Sequence, residues 1–268
     1  MVEPSPTKGR IVRADKPLNL PPVIGHRGAA ARAPENTLAG FRAARALGCT
    51  WVEFDVRLTS DGALVVCHDD QLKRTTDGHG QISKLPLAAI RRWDAGSWFS
   101  KNFAGELIPT LDEALEFCRE LDLGANVEIK AERGRERATA AAVAICLDRQ
   151  AGRSPCILVS SFLPEAISEM AERAPSVPRG MLFRRIPRDW ATIAEQLGCA
   201  TINADHHSLS ESVAAQIVDA GYPLLAYTVN DAARAQQLFD WGVASVFSDT
   251  PGIIMEAAAK IRPPREGK

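Results

Sequence analysis

The chain has 268 residues, a formal net charge of −1 and a hydrophobic content of 46%. This length is sufficient to bury a large core, and the near-neutral charge argues against nucleic acid or an anionic membrane surface as a partner bound by bulk electrostatics. No apolar run is long enough to span a bilayer, so we expect no stable membrane insertion.

The first 20 residues are rich in proline and polar side chains. They lack the apolar core and the small-residue cleavage site of a signal peptide, so we expect a loose leader followed by a single domain over residues 21–268. The six cysteines are scattered and form no CxxC pair. This distribution favours buried free thiols in a reducing cytoplasm over disulfides or a zinc site.

Short apolar runs alternate with amphipathic segments from residue 23 onward. The first run is followed by a predicted helix over residues 37–47, with Asn36 as its expected N-cap. The predicted strands cover residues 23–24, 51–58, 125–130, 157–162, 180–184, 200–204, 224–229 and 245–247. Eight strand–helix units and this chain length predict a (β/α)8 TIM barrel, and a doubly wound open sheet is the alternative.

Residues 69–108 interrupt the alternation and are too many for an ordinary loop. They include three aromatic residues within six positions, Trp98, Phe99 and Phe103. We interpret the segment as a small insertion over one mouth of the barrel. It either helps to shape a substrate pocket or is an excursion without a role in the site.

In such a barrel, catalytic groups lie where the strands end. The first strand runs directly into His26 and Arg27, which are flanked by Gly25 and Gly28. A turn requires glycine but requires neither a titratable ring nor a fixed cation. We therefore expect these side chains to face a ligand, with the glycines allowing the backbone to approach an anion closely.

Side chains two positions apart on a strand share a face, so Glu53 points with Asp55 and Glu128 points with Lys130. Three carboxylates gathered in this way would form a hard oxygen site that suits Mg²⁺ or Ca²⁺ better than zinc. In the alternative, the acids pair with nearby cations, namely Arg27, Arg57 and Lys130.

A hairpin signal follows the second strand at Asp61-Gly62. If these are the two loop residues, counting outward places His68 directly opposite Asp55, on the face that carries the acids. Alternatively, His68 merely caps the end of the hairpin.

Two histidines can act as general acid and general base, and Arg27 and Lys130 are typical phosphate ligands. With a divalent ion, the set points to cleavage of a phosphate ester.

The chain resembles the glycerophosphodiester phosphodiesterase family in six motifs that occur in order along nearly its whole length. They are HRG…PENT at residues 26–37, EFD at 53–55, TSDGALVVCHD at 59–69, RTTDGHG at 74–80, VEIK at 127–130 and SDTP at 248–251. The resemblance implies a (β/α)8 barrel with a small insertion after the second unit. Because no signal peptide is recognisable in its sequence, the chain resembles the short cytoplasmic branch of the family.

The resemblance also implies an activity and a site. Enzymes of this family use a divalent cation to hydrolyse small-molecule glycerophosphodiesters, such as glycerophosphocholine and glycerophosphoethanolamine, to an alcohol and sn-glycerol 3-phosphate. The implied general acid/base pair is His26 and His68, and the implied phosphate contacts are Arg27 and Lys130. The implied metal ligands are Glu53, Asp55 and Glu128. Glu35 and Asn36 match the family's loop but receive no chemical role from the sequence, and for Asn36 we favour capping or loop bracing.

One position departs from the family. Tyr227 stands where a tryptophan is common, and its smaller ring is expected to stack on the glycerol face and to affect substrate preference.

Two alternatives to this function remain open. The first is a lysophospholipase D-type relative, with Trp98, Phe99 and Phe103 receiving an acyl chain; the second is a catalytically silent barrel that only binds a phosphorylated ligand.

Overall fold

The computed structural model describes residues 18–150, 152 and 156–261. Their backbone forms nine strands in one sheet. These are β1 (Val23–Gly25), β2 (Trp51–Leu58), β3 (Leu64–Val66), β4 (Gly124–Ile129), β5 (Ile157–Ser161), β6 (Arg179–Phe183), β7 (Thr201–Asp205), β8 (Leu224–Tyr227) and β9 (Ser245–Ser248).

Eight of these strands close into a parallel barrel. Strand β1 pairs with β2 on one side and with β9 on the other, and parallel pairings connect β2 through β4, β5, β6, β7 and β8 to β9. Strand β3 lies outside the ring and runs antiparallel to β2. The predicted (β/α)8 barrel is therefore confirmed, and the open doubly wound sheet is excluded because the first and last strands are hydrogen-bonded to each other.

Helices separate the barrel strands and cover the outside of the ring. They are α1 (Leu38–Ala46), α2 (Leu87–Ile90), α3 (Leu111–Glu120), α4 (Glu136–Arg149), α5 (Pro164–Arg173), α6 (Trp190–Gln196), α7 (Glu211–Asp219), α8 (Ala232–Asp240) and α9 (Pro251–Ile261). Helix α2 belongs to the segment between β3 and α3, so each barrel strand is followed by one of the other eight helices.

Helix α1 begins one residue later than the sequence predicted, and the expected cap is wrong. Thr37 is the N-cap, because its side chain accepts a hydrogen bond from the backbone N–H of Gly40. Asn36 instead adopts a left-handed conformation with φ of 58° and is buried. Its side chain is consequently directed away from the helix and is available for other contacts.

The predicted register of the hairpin is wrong by one residue. Thr59 pairs with Ala63, because the backbone N–H of Thr59 donates to the Ala63 carbonyl at 2.9 Å and the Thr59 hydroxyl accepts from the Ala63 N–H. The loop thus has three residues, with Gly62 at φ of 84°. Cys67, rather than His68, bonds to the backbone opposite Asp55.

The segment over residues 69–108 contains three single 3-10 turns and α2, and adds no strand to the barrel. It has a small apolar cluster of its own, in which Leu72, Ile82 and Ile90 are buried with Val65 of β3 and Ile108. The three aromatic residues Trp98, Phe99 and Phe103 pack edge to face on one another. The segment is therefore held together by its own small core.

Two apolar layers surround the ring, and a smaller cluster closes its interior at one end. The outer layers pack the helices against β2 and β4 on one side and against β7, β8 and β9 on the other. The inner cluster contains Ile24, Trp51, Leu158, Leu225 and Phe247. This cluster fills part of the barrel interior, and the predicted site residues lie toward the carboxyl ends of the strands.

Leu18 and Leu20, the described part of the expected leader, pack against this inner cluster. Residues 1–17 of the leader, and residues 262–268 of the predicted domain, lie outside the described residues.

Five of the six cysteines are buried, Cys156 is exposed, and all six are free. Within residues 18–150, 152 and 156–261, no helix has both the length and the apolar character needed to cross a bilayer.

Candidate active site

A cavity of about 280 Å³ opens at the mouth of the barrel where the strands end. Its wall is formed by His26, Arg27, Glu53, His68, Asn126, Glu128, Lys130, Phe162, Leu182, Arg184, Asp205, Tyr227, Thr228 and Phe247. Seven of the eight site residues predicted from the sequence are in this wall. The eighth, Asp55, is 1% exposed and is in contact with Arg27 and Lys130.

The three predicted metal ligands lie together. Glu53 and Asp55 project from β2, and Glu128 projects from β4, where the parallel register places it beside Asp55. One carboxylate oxygen of each residue lies within 4.8 Å of the others, and all three residues are buried. Burying three carboxylates together is costly unless cations compensate their charge.

Two cations of the protein compensate part of this charge. Lys130 Nζ lies 2.7 Å from Glu128 Oε1 and 3.4 Å from Asp55 Oδ1, and Arg27 Nε lies 3.3 Å from Asp55 Oδ2. Burial acts to raise the pKa of Asp55, but Lys130 and Arg27 outweigh it and hold the pKa well below its usual range. The alternative of internal ion pairs is thus partly realised. Arg57 takes no part in it, because it donates to the carbonyl of His68.

Glu53 remains poorly compensated. One of its carboxylate oxygens accepts from the backbone N–H of Arg27 at 2.9 Å, and the other, Oε1, is buried with no hydrogen-bond partner among the described residues. Burial and the neighbouring charges of Asp55 and Glu128 raise the pKa of Glu53 well above its usual value. Three carboxylates and two cations leave a deficit of positive charge beside an unpartnered oxygen. This donor set fits a hard divalent cation.

His26 is held by the last strand of the barrel. Its Nδ1 lies 2.6 Å from Asp249 Oδ1, and its backbone N–H donates to Ser248. The other ring nitrogen, Nε2, lies 3.9 Å from Glu53 Oε2 and faces the acidic residues. Asp249 is fixed in turn by Asn230 Nδ2 at 2.7 Å. A carboxylate on one ring nitrogen leaves the other free to exchange a proton at the cavity.

His68, which also lies in the cavity wall, has the same arrangement. Its Nδ1 lies 2.6 Å from Asp69 Oδ1. Arg74 donates to Asp69 at 2.5 Å and, with two further nitrogens, to both carboxylate oxygens of Glu35 at 2.7 Å. Glu35 also accepts from Arg27 at 2.8 Å. The structure therefore brings the second histidine to the site even though the hairpin register differs from the prediction.

The two glycines around His26 and Arg27 are required by close packing. A Cβ on Gly25 would lie 2.3 Å from the carbonyl oxygen of Gly28, and one on Gly28 would lie 2.5 Å from the backbone of Gly40 in α1. Arg27 itself adopts φ of 50°, and Gly28 adopts 92°. The tight turn presses against α1, and this position directs the Arg27 side chain into the cavity wall.

Asn36 makes a contact with the site that the sequence did not predict. Its Nδ2 donates to Asp55 Oδ2 at 2.9 Å, and its Oδ1 accepts from the backbone N–H of Asp55 at 3.1 Å. Glu35 and Arg74 were likewise without a predicted role, although both lie within quoted motifs. Their pairing joins residues 39 positions apart and becomes visible only in the folded chain.

Aromatic residues form the far wall of the cavity. Tyr227 donates from its hydroxyl to the carbonyl of Phe183 at 2.8 Å, and its ring meets Phe162 edge to face at 5.7 Å between centroids. Phe162 also lies 5.6 Å from Lys130 Nζ. None of the residues that line the cavity belongs to the segment over residues 69–108, so Trp98, Phe99 and Phe103 do not shape it.

The chain is similar in sequence and fold to known proteins. The sequence profile of the glycerophosphoryl diester phosphodiesterase family matches residues 26–253. The chain is similar to a phosphodiesterase of Oleispira antarctica, solved in complex with the product sn-glycerol-3-phosphate, at 40% identity and a TM-score of 0.87 over 89% of this chain and 97% of that one. It is 30% identical to the glycerophosphodiester phosphodiesterase of Caldanaerobacter subterraneus, over 89% of this chain and 98% of the relative. It is 29% identical to the glycerophosphodiester phosphodiesterase of Bacillus subtilis, over 92% of this chain and 88% of the relative.

Proposed function

Because the chain belongs to the glycerophosphoryl diester phosphodiesterase family, and is thus a phosphoric diester hydrolase, we propose that it hydrolyses glycerophosphodiesters to an alcohol and sn-glycerol 3-phosphate. Glycerophosphocholine and glycerophosphoethanolamine are representative substrates. The observation that carries the proposal is a cluster of three buried carboxylates at a cavity whose wall also holds two carboxylate-bound histidines. The Oleispira relative, which was solved with sn-glycerol-3-phosphate, supports the choice of product.

Glu53, Asp55 and Glu128 would hold a divalent cation, Mg²⁺ or Ca²⁺. When bound, such an ion polarises a phosphoryl oxygen and orients the attacking oxygen. Arg27 and Lys130 lie on the same wall and would bind the phosphate. Arg27 is supported by Glu35, so its guanidinium is already oriented before the substrate arrives.

The two histidines would divide the proton transfers. His26 is the proposed base, because its Nε2 faces the acidic residues while Asp249 holds Nδ1. It would take a proton from the attacking oxygen, which belongs either to water or to a hydroxyl of the glycerol group. In the second case, loss of the alcohol leaves a cyclic phosphate, and water must then open this ring to give sn-glycerol 3-phosphate. His68, held by Asp69, would donate a proton to the leaving alkoxide as the bond from phosphorus to that oxygen breaks. The alcohol then leaves with its oxygen protonated.

The two alternatives receive less support. A lysophospholipase D-type relative would need an apolar rim for an acyl chain, yet Trp98, Phe99 and Phe103 do not line the described cavity. A silent binding barrel would be expected to lack a catalytic group, whereas His26, His68 and the three carboxylates are all present in the site.

The proposed compartment is the cytoplasm, and its support is the cysteine content. All six thiols are free, and burial raises the pKa of the Cys49 thiol to about 11 and that of Cys67 to about 12. A thiol titration of protein isolated without reductant should count six thiols after denaturation. A count two or more below six would speak against this compartment.

A coupled assay for sn-glycerol 3-phosphate tests the proposed activity. Purified enzyme is supplied with a panel of water-soluble diesters and with a lysophospholipid, each in the presence of Mg²⁺ or Ca²⁺. Release of sn-glycerol 3-phosphate from the diesters is the expected result. Cleavage of the lysophospholipid yields an acylated glycerol phosphate, so its turnover is measured by release of the headgroup alcohol. Turnover of the lysophospholipid alone would support the first alternative, and no turnover of any substrate would support a silent barrel.

A further inference from the structure

A second pocket of about 490 Å³ adjoins the catalytic cavity at the ends of β6 and β7. Its lining consists of Arg184, Arg185, Ile186, Asp205, His207, Ser208 and Val213. Arg184 and Asp205 line both spaces, so the pocket and the cavity share a wall. None of the proposed metal ligands or catalytic histidines lies in this outer pocket.

The outer pocket carries an excess of positive charge. Within the described part of the chain, no carboxylate lies within ion-pair distance of Arg184 or Arg185. Asp205 is the one acid in the lining, and it accepts from the backbone N–H of His207 at 2.9 Å and lies 3.0 Å from His207 Nδ1. Asp205 thus contacts His207 twice, whereas the two guanidinium groups have no carboxylate partner among the described residues and are available to a ligand.

The order of groups along the wall indicates which part of a substrate reaches this pocket. The ring of Phe162 lies near two cations along this wall. Its centroid is 5.6 Å from Lys130 Nζ, which is next to the acidic residues, and 5.4 Å from the guanidinium carbon of Arg184. A diester whose phosphate is bound by Arg27 and Lys130 can therefore extend past Phe162 to Arg184. The leaving alcohol is the half that varies in size and charge among glycerophosphodiesters, so a pocket outside the catalytic cavity suits it better than the constant glycerol phosphate half.

We infer that the outer pocket binds the leaving alcohol and favours alcohols that carry an anionic group, in particular a phosphate monoester. The inference rests on the proposed function, since it names the substrate class of the same site. Planar guanidinium groups match phosphate oxygens in a bidentate geometry, and two unpaired arginines can share one phosphate. A cationic alcohol such as choline would meet like charge from both arginines and would find Asp205 already bound by His207.

Two substrates that differ by one phosphate test this inference. Glycerophosphoinositol has an uncharged leaving alcohol, and glycerophosphoinositol 4-phosphate has the same alcohol with one phosphate added. Both release a single sn-glycerol 3-phosphate, so one coupled assay measures both. The quantity of interest is the ratio of their kcat/KM values at low salt, with the uncharged substrate as the reference in every variant.

The intact enzyme should prefer the phosphorylated substrate. Arg185→Gln should lower the ratio about threefold to tenfold, the range for a charge-assisted hydrogen bond on a partly exposed site. Arg188→Gln is the matched control, because Arg188 is exposed and lines neither space. High salt should also reduce the preference. The thermal unfolding temperature of each variant should equal that of the intact enzyme, since both arginines are exposed.

The outcomes separate this inference from the proposed function. Turnover of glycerophosphoinositol with no preference for its phosphate, or equal ratios in the two variants, overturns the inference and leaves the phosphodiesterase intact. A preference for glycerophosphocholine that is lost in Asp205→Asn also overturns it, because Asp205 would then bind a cation. If no diester is hydrolysed in the presence of a divalent ion, both proposals fail.

Discussion

Asn36 and Asp55 are joined by two hydrogen bonds: Asn36 Nδ2 donates to Asp55 Oδ2, and the Asp55 backbone N–H donates to Asn36 Oδ1. Asn36 lies in the loop after β1, and Asp55 lies on β2. The pair therefore helps to fix the orientation of a carboxylate that Arg27 and Lys130 also contact. Hydrogen bonds to metal-binding carboxylates commonly tune affinity in this way.

Asn36→Ala should weaken divalent-ion binding and activity by about 10-fold to 100-fold, the usual effect of removing a partner of a metal ligand. The loss of activity should be partly restored at high metal concentration, which a purely structural defect would not allow. Calorimetric titration with Ca²⁺ and a kcat/KM measurement check this expectation. Asn102→Ala, on an exposed turn, is the control. Unchanged metal affinity would show that Asn36 only braces the loop.

Glu53→Gln should abolish turnover and weaken metal binding while the fold survives. The change removes a buried charge that lies beside two other carboxylates, so the free energy of unfolding without metal should not fall. Glu120→Gln, at the exposed end of α3, provides the matched control. Thermal unfolding with and without Mg²⁺ separates the two effects. A variant that retains metal affinity and turnover would remove Glu53 from the proposed site.

His68→Ala should lose about 10²-fold to 10⁴-fold in kcat on glycerophosphocholine, the usual contribution of a general acid. An alkoxide is a poor leaving group and depends on protonation, whereas a nitrophenolate is a good leaving group and depends on it little. The same variant should therefore lose much less on a nitrophenyl ester of glycerol phosphate. The ratio of the two kcat values is the diagnostic quantity.

His26→Ala serves as the comparison, because a missing base should impair both substrates. If His26→Ala is the variant that the good leaving group rescues, the roles of the two histidines are reversed. If neither variant is rescued, a third group acts as the acid.

Acid should destabilise the enzyme through the contacts of Arg74. Burial acts to raise the pKa of Asp69, but hydrogen bonds from Arg74 and His68 lower it to about 2, and Arg74 likewise contributes to the lowered pKa of Glu35. Since unfolded carboxyl groups titrate near about 4, this stabilisation is complete above that pH and is lost as the pH falls toward 2.

Arg74→Gln should therefore lose less free energy of unfolding between pH 5 and pH 3 than the intact enzyme does. Urea unfolding at both pH values measures the difference, and Arg92→Gln, an exposed arginine of the same segment, is the control. Equal losses in the intact enzyme and in Arg74→Gln would mean that these ion pairs contribute nothing to acid stability.

The barrel was predictable because its strands are short apolar runs that end in polar residues, a pattern that repeats along the chain. The same rule predicted that His26, Glu53, Asp55 and Glu128 gather at one mouth, since parallel strands all end there. Residue periodicity was sufficient for these features because side chains alternate between the two faces of a strand and all barrel strands end at the same mouth.

Other features depend on contacts that periodicity does not encode. The hairpin register differs from the prediction because the Thr59 hydroxyl forms hydrogen bonds with both Asp61 and Ala63. These bonds stabilise a loop of three residues instead of the predicted loop of two. The role of Asn36 required a left-handed backbone at a residue that also resembles a helix cap. The bridge from Arg74 to Glu35 spans two loops that only the folded barrel brings together.

The most direct test of the account is to titrate metal-free enzyme with Mg²⁺ or Ca²⁺ while release of sn-glycerol 3-phosphate from glycerophosphoethanolamine is measured. We predict no turnover in excess EDTA, restoration as one site per chain is filled, and no restoration in Glu53→Gln. Full activity of the intact enzyme in excess EDTA would contradict the claim that a divalent ion at Glu53, Asp55 and Glu128 drives the reaction.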